Sequence, residues 1–287
     1  MAYLTGSWKS MEAFMISTII NYTFMQNAIM AALLASVACG IVGAIIVEKQ
    51  LVMMSGGIAH TAFGGIGLGY YLQVEPIYTA LGFSLASALA VARIQRGSTV
   101  IPDVLIGMFW PLGMALGIVF ISITPGYPPS MSSYLFGDVL TVSRPDLWLM
   151  LVLDLLLVTA TFSFYHLLQA YLFDEEFSAA LGLPVIWAEA LVYAMIAITV
   201  VVLIRVVGII LVLALLCVPP SLARFFTHDL TSIIILSAIL GAIFCLSGLA
   251  VSYQYNIASG AAIVILSVTV YIALHLVYNR GNRSRPA

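Results

Sequence analysis

The stretch VMMSGGIAHTAFGGIGLGYYL, Val52 to Leu72, carries no charged residue and one ionisable side chain, His60. At 1.5 Å of rise per residue, about 20 apolar residues cross the ~30 Å hydrocarbon core of a bilayer, so this run is long enough to span one. Six of the fifteen residues from Ser55 to Gly69 are glycine. Gly57, Thr61, Gly65 and Gly69 recur at every fourth position, which predicts a stripe of small residues along which neighbouring helices approach closely. Gly56 and Gly64 flank His60 one turn to either side, leaving the surface around the imidazole bare. With Val52 at the membrane edge, His60 falls roughly 12 Å inside, near mid-membrane. Two readings of it stand side by side. One is a neutral histidine hydrogen-bonded to an adjacent helix, with the glycines serving packing. The other is a contact for a passing substrate or metal, since ionisable groups inside a membrane are costly and mark function.

The rest of the chain has the same character. Of 287 residues, 63% are hydrophobic and 8% charged, and mean hydropathy is +1.14, whereas soluble globular domains average about 25% charged residues. The expected fold class is all-α: a polytopic membrane protein of about nine transmembrane helices, within a range of eight to ten. Working outward, the apolar runs are Phe24–Val47, Val52–Leu72, Ile77–Ala92, Val104–Ile123, Leu147–Leu168, Val185–Val206, Gly208–Phe225, Leu230–Val251 and Ile257–Val277. Pro111 predicts a bend in the fourth, and Pro219 with Pro220 a break in the seventh. The sixth and seventh have almost nothing between them and are expected to form a tight antiparallel pair. Residues 1–23 read as an interfacial segment, 24–278 as one transmembrane domain and 279–287 as a basic cytoplasmic tail. No cleaved signal peptide is evident in MAYLTGSWKSMEAF.

Short cytoplasmic loops collect Lys and Arg. With the N-terminus outside, the cytoplasm receives Lys49, Arg93, Arg96, Arg224, Arg280, Arg283 and Arg285, and the other side only Lys9, Arg144 and Arg205. This favours N-out and C-in. It places the segment Phe173 to Pro184 in the cytoplasm, between the fifth and sixth spans. There Asp174 suits a helix N-cap, Glu175 and Glu176 its first turn, and Gly182 followed by Pro184 its end.

Several function classes are excluded by what is missing. A P-loop needs a Gly-Lys pair, and Lys9 and Lys49 follow Trp8 and Glu48, so any ATP is handled by another chain. There is no H-E-x-x-H and no G-x-S-x-G, and no basic patch for nucleic acid. Cys39, Cys217 and Cys245 lie in separate apolar runs without C-x-x-C spacing and read as packing residues.

Together, Phe24-Met-Gln-Asn-Ala28, Cys39-Gly-Ile-Val-Gly43, Glu48 to Ser55 and Ile58-Ala-His60-Thr-Ala62 resemble the opening of the metal-type ABC permeases. The likeness continues in order through Asp103-Val-Leu-Ile-Gly107, Leu135-Phe-Gly-Asp138 with Val142-Ser-Arg144, Asp174 to Phe177 with Leu181-Gly-Leu-Pro184, Arg205 to Val212, Val218-Pro-Pro220 and Ala223-Arg224. The resemblance implies the membrane subunit of an ATP-driven importer for zinc, manganese or iron(II) in a prokaryotic cell membrane. Implied partners are a second copy of the permease, a cytoplasmic ABC ATPase and an extracytoplasmic metal-binding protein. It implies no tightly bound cofactor: the divalent metal is substrate, and ATP stays on the partner. It also makes Asp174 to Gly182 the coupling helix that fits the ATPase, with Asp174, Glu175, Glu176, Phe177, Ala179, Leu181 and Gly182 at the contact.

The family commonly has an aspartate one turn before the histidine, offering a carboxylate and an imidazole to one metal. Gly56 stands there instead. Either His60 acts with ligands from other helices or the membrane site is weaker and transient. The other candidate metal contacts are Asp138, near the outer mouth, for which a loop-stabilising role is an equal alternative, and Glu189, one turn into the sixth span, for which an interfacial salt bridge is the favoured reading. Gly56, Gly57, Gly64 and Gly65 are expected to pack along the pathway. Asp154 is expected to pair across a helix contact and Asp103 to cap its helix, while His166, His228 and His275 read as solvated. A lone imidazole suits zinc, whereas manganese prefers carboxylates and water. The competing functions are an ABC permease for a cobalamin or iron-siderophore cargo, an ATP-independent secondary transporter or channel, and a scaffold without transport.

Overall fold

The structure is a computed structural model that describes residues 22–97, 102–125, 137 and 139–283. Asp138, residues 1–21 of the N-terminal segment and the last four residues of the tail lie outside the described residues. The described chain is helical: α1 (Thr23–Glu48), α2 (Val52–Leu72), α3 (Pro76–Gly97), α4 (Pro102–Ser122), a single 3-10 turn (Val139–Thr141), α5 (Arg144–Ser163), α6 (Tyr165–Phe173), α7 (Glu175–Ala180), α8 (Val185–Val207), α9 (Ile209–Ala223), α10 (Leu230–Tyr255) and α11 (Ser259–Arg283). The chain is a polytopic, all-α membrane protein. Seven of these helices, α1, α3, α4, α5, α8, α10 and α11, are long and apolar enough to cross a membrane. Two further helices lie over the remaining apolar runs. α2 has 21 residues and is buried along most of its length, its hydropathy diluted by glycine and His60. α9 has 15 residues.

Two groups of helices make up the bundle. α2 packs against α3 and α4, while α1 packs against α5, α9 and α10, and α11 closes on α9 and α10. α8 joins the groups, touching α1, α2, α3 and α5. Small residues set these distances, because between lipid-embedded helices close packing replaces the hydrophobic effect as the driving force. A Cβ on Gly40 of α1 would stand 2.8 Å from Ala238 of α10, and one on Gly67 of α2 would stand 2.5 Å from the Gly117 carbonyl of α4.

Three expectations about the spans need correction. The fifth does not run on to Leu168: α5 ends at Ser163, and α6 starts afresh after Phe164. α9 continues through Pro219 and Pro220 to Ala223 rather than breaking at them. The carbonyl of Leu216, four residues before Pro220, loses its helical donor because proline has no N–H. Gly43 of α1 packs against that carbonyl, where a Cβ would be only 2.7 Å away. Nor are α8 and α9 mainly each other's partners. Gly208, at φ 81° and ψ 159°, is the one residue between them, and beyond it α9 packs chiefly on α1, α10 and α11. Gly137, at φ +57°, is wedged into this joint, where a Cβ would come within 2.4 Å of the Val207 and Gly208 backbone.

Candidate functional site

α2 presents its glycines to two neighbours in turn. A Cβ on Gly57 would meet Ile106 of α4 at 2.6 Å, and the Cβ that Gly113 of α4 lacks would meet Thr61 Cα at 2.5 Å. Gly64 lies between Phe83 of α3 and the Gly113 carbonyl. Gly65 and Gly69 face α3, at Thr79, Ala80 and Pro76. The stripe rotates because four residues advance an α-helix by about 400°, a surplus of about 40° per step. Over the three steps from Gly57 to Gly69 this amounts to about 120°, enough to pass from one neighbouring helix to the next.

His60 is half-buried and its ring stacks on Trp110 of α4, with centroids 4.2 Å apart and planes 14° from parallel. Gly56, one turn before it, leaves room for that indole: the nearest atom to its missing Cβ is Trp110 Cζ3 at 3.8 Å. The surface around the imidazole is thus roofed by an aromatic ring on one side. The Nδ1 atom is buried and has no hydrogen-bond partner among the described residues. Within a single chain, the described residues contain no group of three or more His, Cys, Asp or Glu able to hold a metal ion.

Glu189 lies elsewhere, at the end of the bundle where the ends of α1 and α3 and the start of α8 meet the elbow formed by Asp174 to Gly182. It is 6% exposed and ion-paired with Arg96 at the end of α3. Asp154 is 6% exposed on α5, and neither of its carboxylate oxygens has a partner among the described residues, so the pairing expected for it does not appear. Asp103 occupies the first turn of α4, where a negative charge suits the helix dipole.

The elbow is built as its sequence implies. The Asp174 side chain accepts a hydrogen bond from Phe177 N–H at 2.9 Å, capping α7. Glu175 and Glu176 fill the first turn, and Gly182 at φ +77° turns the chain toward Pro184. Lys49, just past α1, approaches Glu175 Oε2 at 2.8 Å and donates to the Tyr171 carbonyl at 3.1 Å. Its Nζ also lies 4.1 Å above the Tyr171 ring. Burial first, then Tyr193 and the nearby carboxylates, pushes the Tyr171 hydroxyl above its ordinary range, so the ring under Lys49 is neutral. Arg96 reaches Glu175 Oε1 at 3.7 Å, and Arg224 pairs with Glu48 at 3.5 Å. Beside this ionic floor is a groove of about 920 Å³ lined by Arg96, Glu176, Ala179, Pro184, Ile186 and Trp187 among others. Apolar side chains stand exposed around it, with Phe177 at 61%, Leu181 at 62% and Trp187 at 75%. Arg205 bridges Glu75 and Asp146 at the opposite end of the bundle, at 3.5 and 3.0 Å.

The sequence reading used Lys49 and Arg96 only as topology markers and missed Trp110 altogether. The acidic pair Glu175 and Glu176, beside a helix cap on the side where the basic residues gather, was the available signal for the first two. No comparable signal marked Trp110.

A sequence profile of the ABC 3 transport family matches residues 21–278. An uncharacterised membrane protein of Synechocystis sp. is 44% identical over 253 residues, covering 88% of this chain and 90% of that protein. The manganese transport system membrane protein MntC of Halalkalibacterium halodurans is 31% identical over 258 residues, 90% of this chain and 88% of that one. Among solved structures, PsaBC from Streptococcus pneumoniae in complex with Fab contains a chain that superposes with a TM-score of 0.80 at 27% identity, covering 91% of this chain and 94% of that chain.

Proposed function

The chain belongs to the ABC 3 transport family, a multi-pass plasma-membrane permease of the metal-transport type, and from that premise we propose that it imports a divalent transition metal by alternating access driven by a separate ATPase. The observation that supports this most directly is the elbow: a capped, six-residue helix with exposed apolar side chains, set on a floor of ion pairs at one end of the bundle. Such a surface can receive a soluble partner and pass its movement into the helices. In this reading the elbow faces the cytoplasm, the N-terminus lies outside, and two copies of the chain line the pathway between them.

His60 is the contact for the passing ion. A single imidazole, lacking the aspartate one turn earlier, holds a metal weakly, as a transported ion requires. The remaining ligands come from water, from the second copy or from the delivering protein. Glu189, held by Arg96, is reserved for the ionic floor and not for the metal. Manganese is the first ion to test, given the relative named for its transport, with zinc and iron(II) as competitors.

The test is co-purification followed by uptake. The permease should bring down an ATP-hydrolysing chain, and vesicles holding the complex should accumulate manganese only with ATP. Uptake by the purified permease alone would refute the ATP-driven mechanism. Competition by cobalamin or a ferric siderophore, with none by free divalent ions, would refute the metal assignment.

A further inference from the structure

The two carboxylate oxygens of Glu175 face two different cations on two different helices: Oε2 faces Lys49 at 2.8 Å and Oε1 faces Arg96 at 3.7 Å. Lys49 sits in the short turn between α1 and α2, three residues before α2 begins. Arg96 ends α3, the helix on which Gly65 and Gly69 of α2 pack, and it is also paired with Glu189 at the start of α8. A single side chain of the elbow therefore reaches the His60 helix along two routes, through its own N-terminal turn and through its packing partner. Lys49 is the better anchored of the two cations. Its side chain is 19% exposed, against 34% for Arg96, and it is fixed from three sides by the Tyr171 carbonyl, the Tyr171 ring and Glu175.

We propose that Lys49 is the positioning residue through which displacement of α7 is conveyed to α2, with Arg96 carrying the same displacement to α3 and α8. The proposal rests on the transport reading above but assigns a residue that the elbow's docking role does not require. Lys49 acts here through geometry: a short charged link between two elements keeps them in step whichever way the elbow moves. An energetic link between two sites is shown only by measured coupling, so the test has to read coupling and not folding.

The complex of the permease with its co-purifying ATPase is reconstituted in vesicles as wild type, Lys49→Gln, Lys49→Glu and the exchange Lys49→Glu with Glu175→Lys. Manganese uptake and ATP hydrolysis are measured together. Lys49→Gln should keep the ATPase bound while uptake per ATP falls about fivefold or more, the lower bound of typical allosteric coupling. Lys49→Glu should be worse, and the exchange should regain part of the loss. Unchanged uptake per ATP in Lys49→Gln, or an exchange no better than Lys49→Glu alone, would overturn the proposal. If no ATPase accompanies the wild type, the transport reading fails by itself. The mechanical link is then read in the permease alone by amide hydrogen exchange. Lys49→Gln should raise exchange in both 175–180 and the first turn of α2, and an increase confined to either segment refutes the link.

Discussion

Gly65→Ala adds one methyl group at one of the tightest contacts between α2 and α3. The new Cβ would stand 2.5 Å from Ala80 Cα and 2.6 Å from the Thr79 carbonyl. Both are backbone atoms, so no side-chain rotation relieves the clash and α3 has to retreat by roughly 1 Å to reach ordinary contact. Overpacking of this kind costs about 1–3 kcal/mol, while replacing glycine by alanine within a helix returns up to about 1 kcal/mol. With the full helix-propensity gain the expected net loss is about 0–2 kcal/mol, which leaves it about 1–3 kcal/mol below a substitution that gains propensity without the clash, at some 2–4 °C in Tm for each kcal/mol in a chain of this size class. Gly82→Ala is the matched control, since nothing lies within 4 Å of its missing Cβ; only the helix-propensity gain applies, and Tm should hold or rise. The assay is thermal unfolding of the purified permease in detergent, followed by loss of the monodisperse peak. If Gly65→Ala is as stable as Gly82→Ala, close packing of α2 on α3 does not set the stability of this bundle, and the physical reading of the glycine stripe is wrong.

His60→Ala should depress manganese uptake at low metal concentration more than at high, because it removes a weak ligand and not the pathway; uptake curves identical to wild type would remove His60 from the mechanism. Arg96→Ala should cost about 1–3 kcal/mol of stability, since it strands the nearly buried Glu189 carboxylate. Adding Glu189→Ala to it should recover part of that loss in a double-mutant cycle read by unfolding, whereas simple additivity would show that the pair is not energetically linked. Asp174→Ala removes the α7 cap at about 1 kcal/mol. It should raise amide exchange at 175–180 while global Tm stays nearly unchanged, and a global drop would contradict a locally held elbow. Gly137→Ala forces a side chain onto φ +57° and into the Val207 backbone at 2.4 Å, so it should abolish the folded peak on size exclusion, and normal yield would refute the wedge at the α8–α9 joint.

What the amino-acid order determined by itself was whatever depends on neighbours within a few positions. Apolar runs of membrane length gave the all-helical bundle, and the α7 elbow followed from Asp174 and the acidic first turn, because a cap bonds only three residues ahead. The small-residue pattern of α2 announced close packing. Tertiary structure alone decided which helix received each part of that pattern, because the surplus rotation of a four-residue repeat has no meaning until two neighbours are in place. It also decided the pairs distant in sequence: Lys49 with Glu175, 126 positions apart, and Arg96 with Glu189, 93 apart. The roof of Trp110 over His60 belongs to the same class. Local backbone chemistry is written along the chain, whereas the partner of a charge or a ring depends on how whole helices are laid against one another.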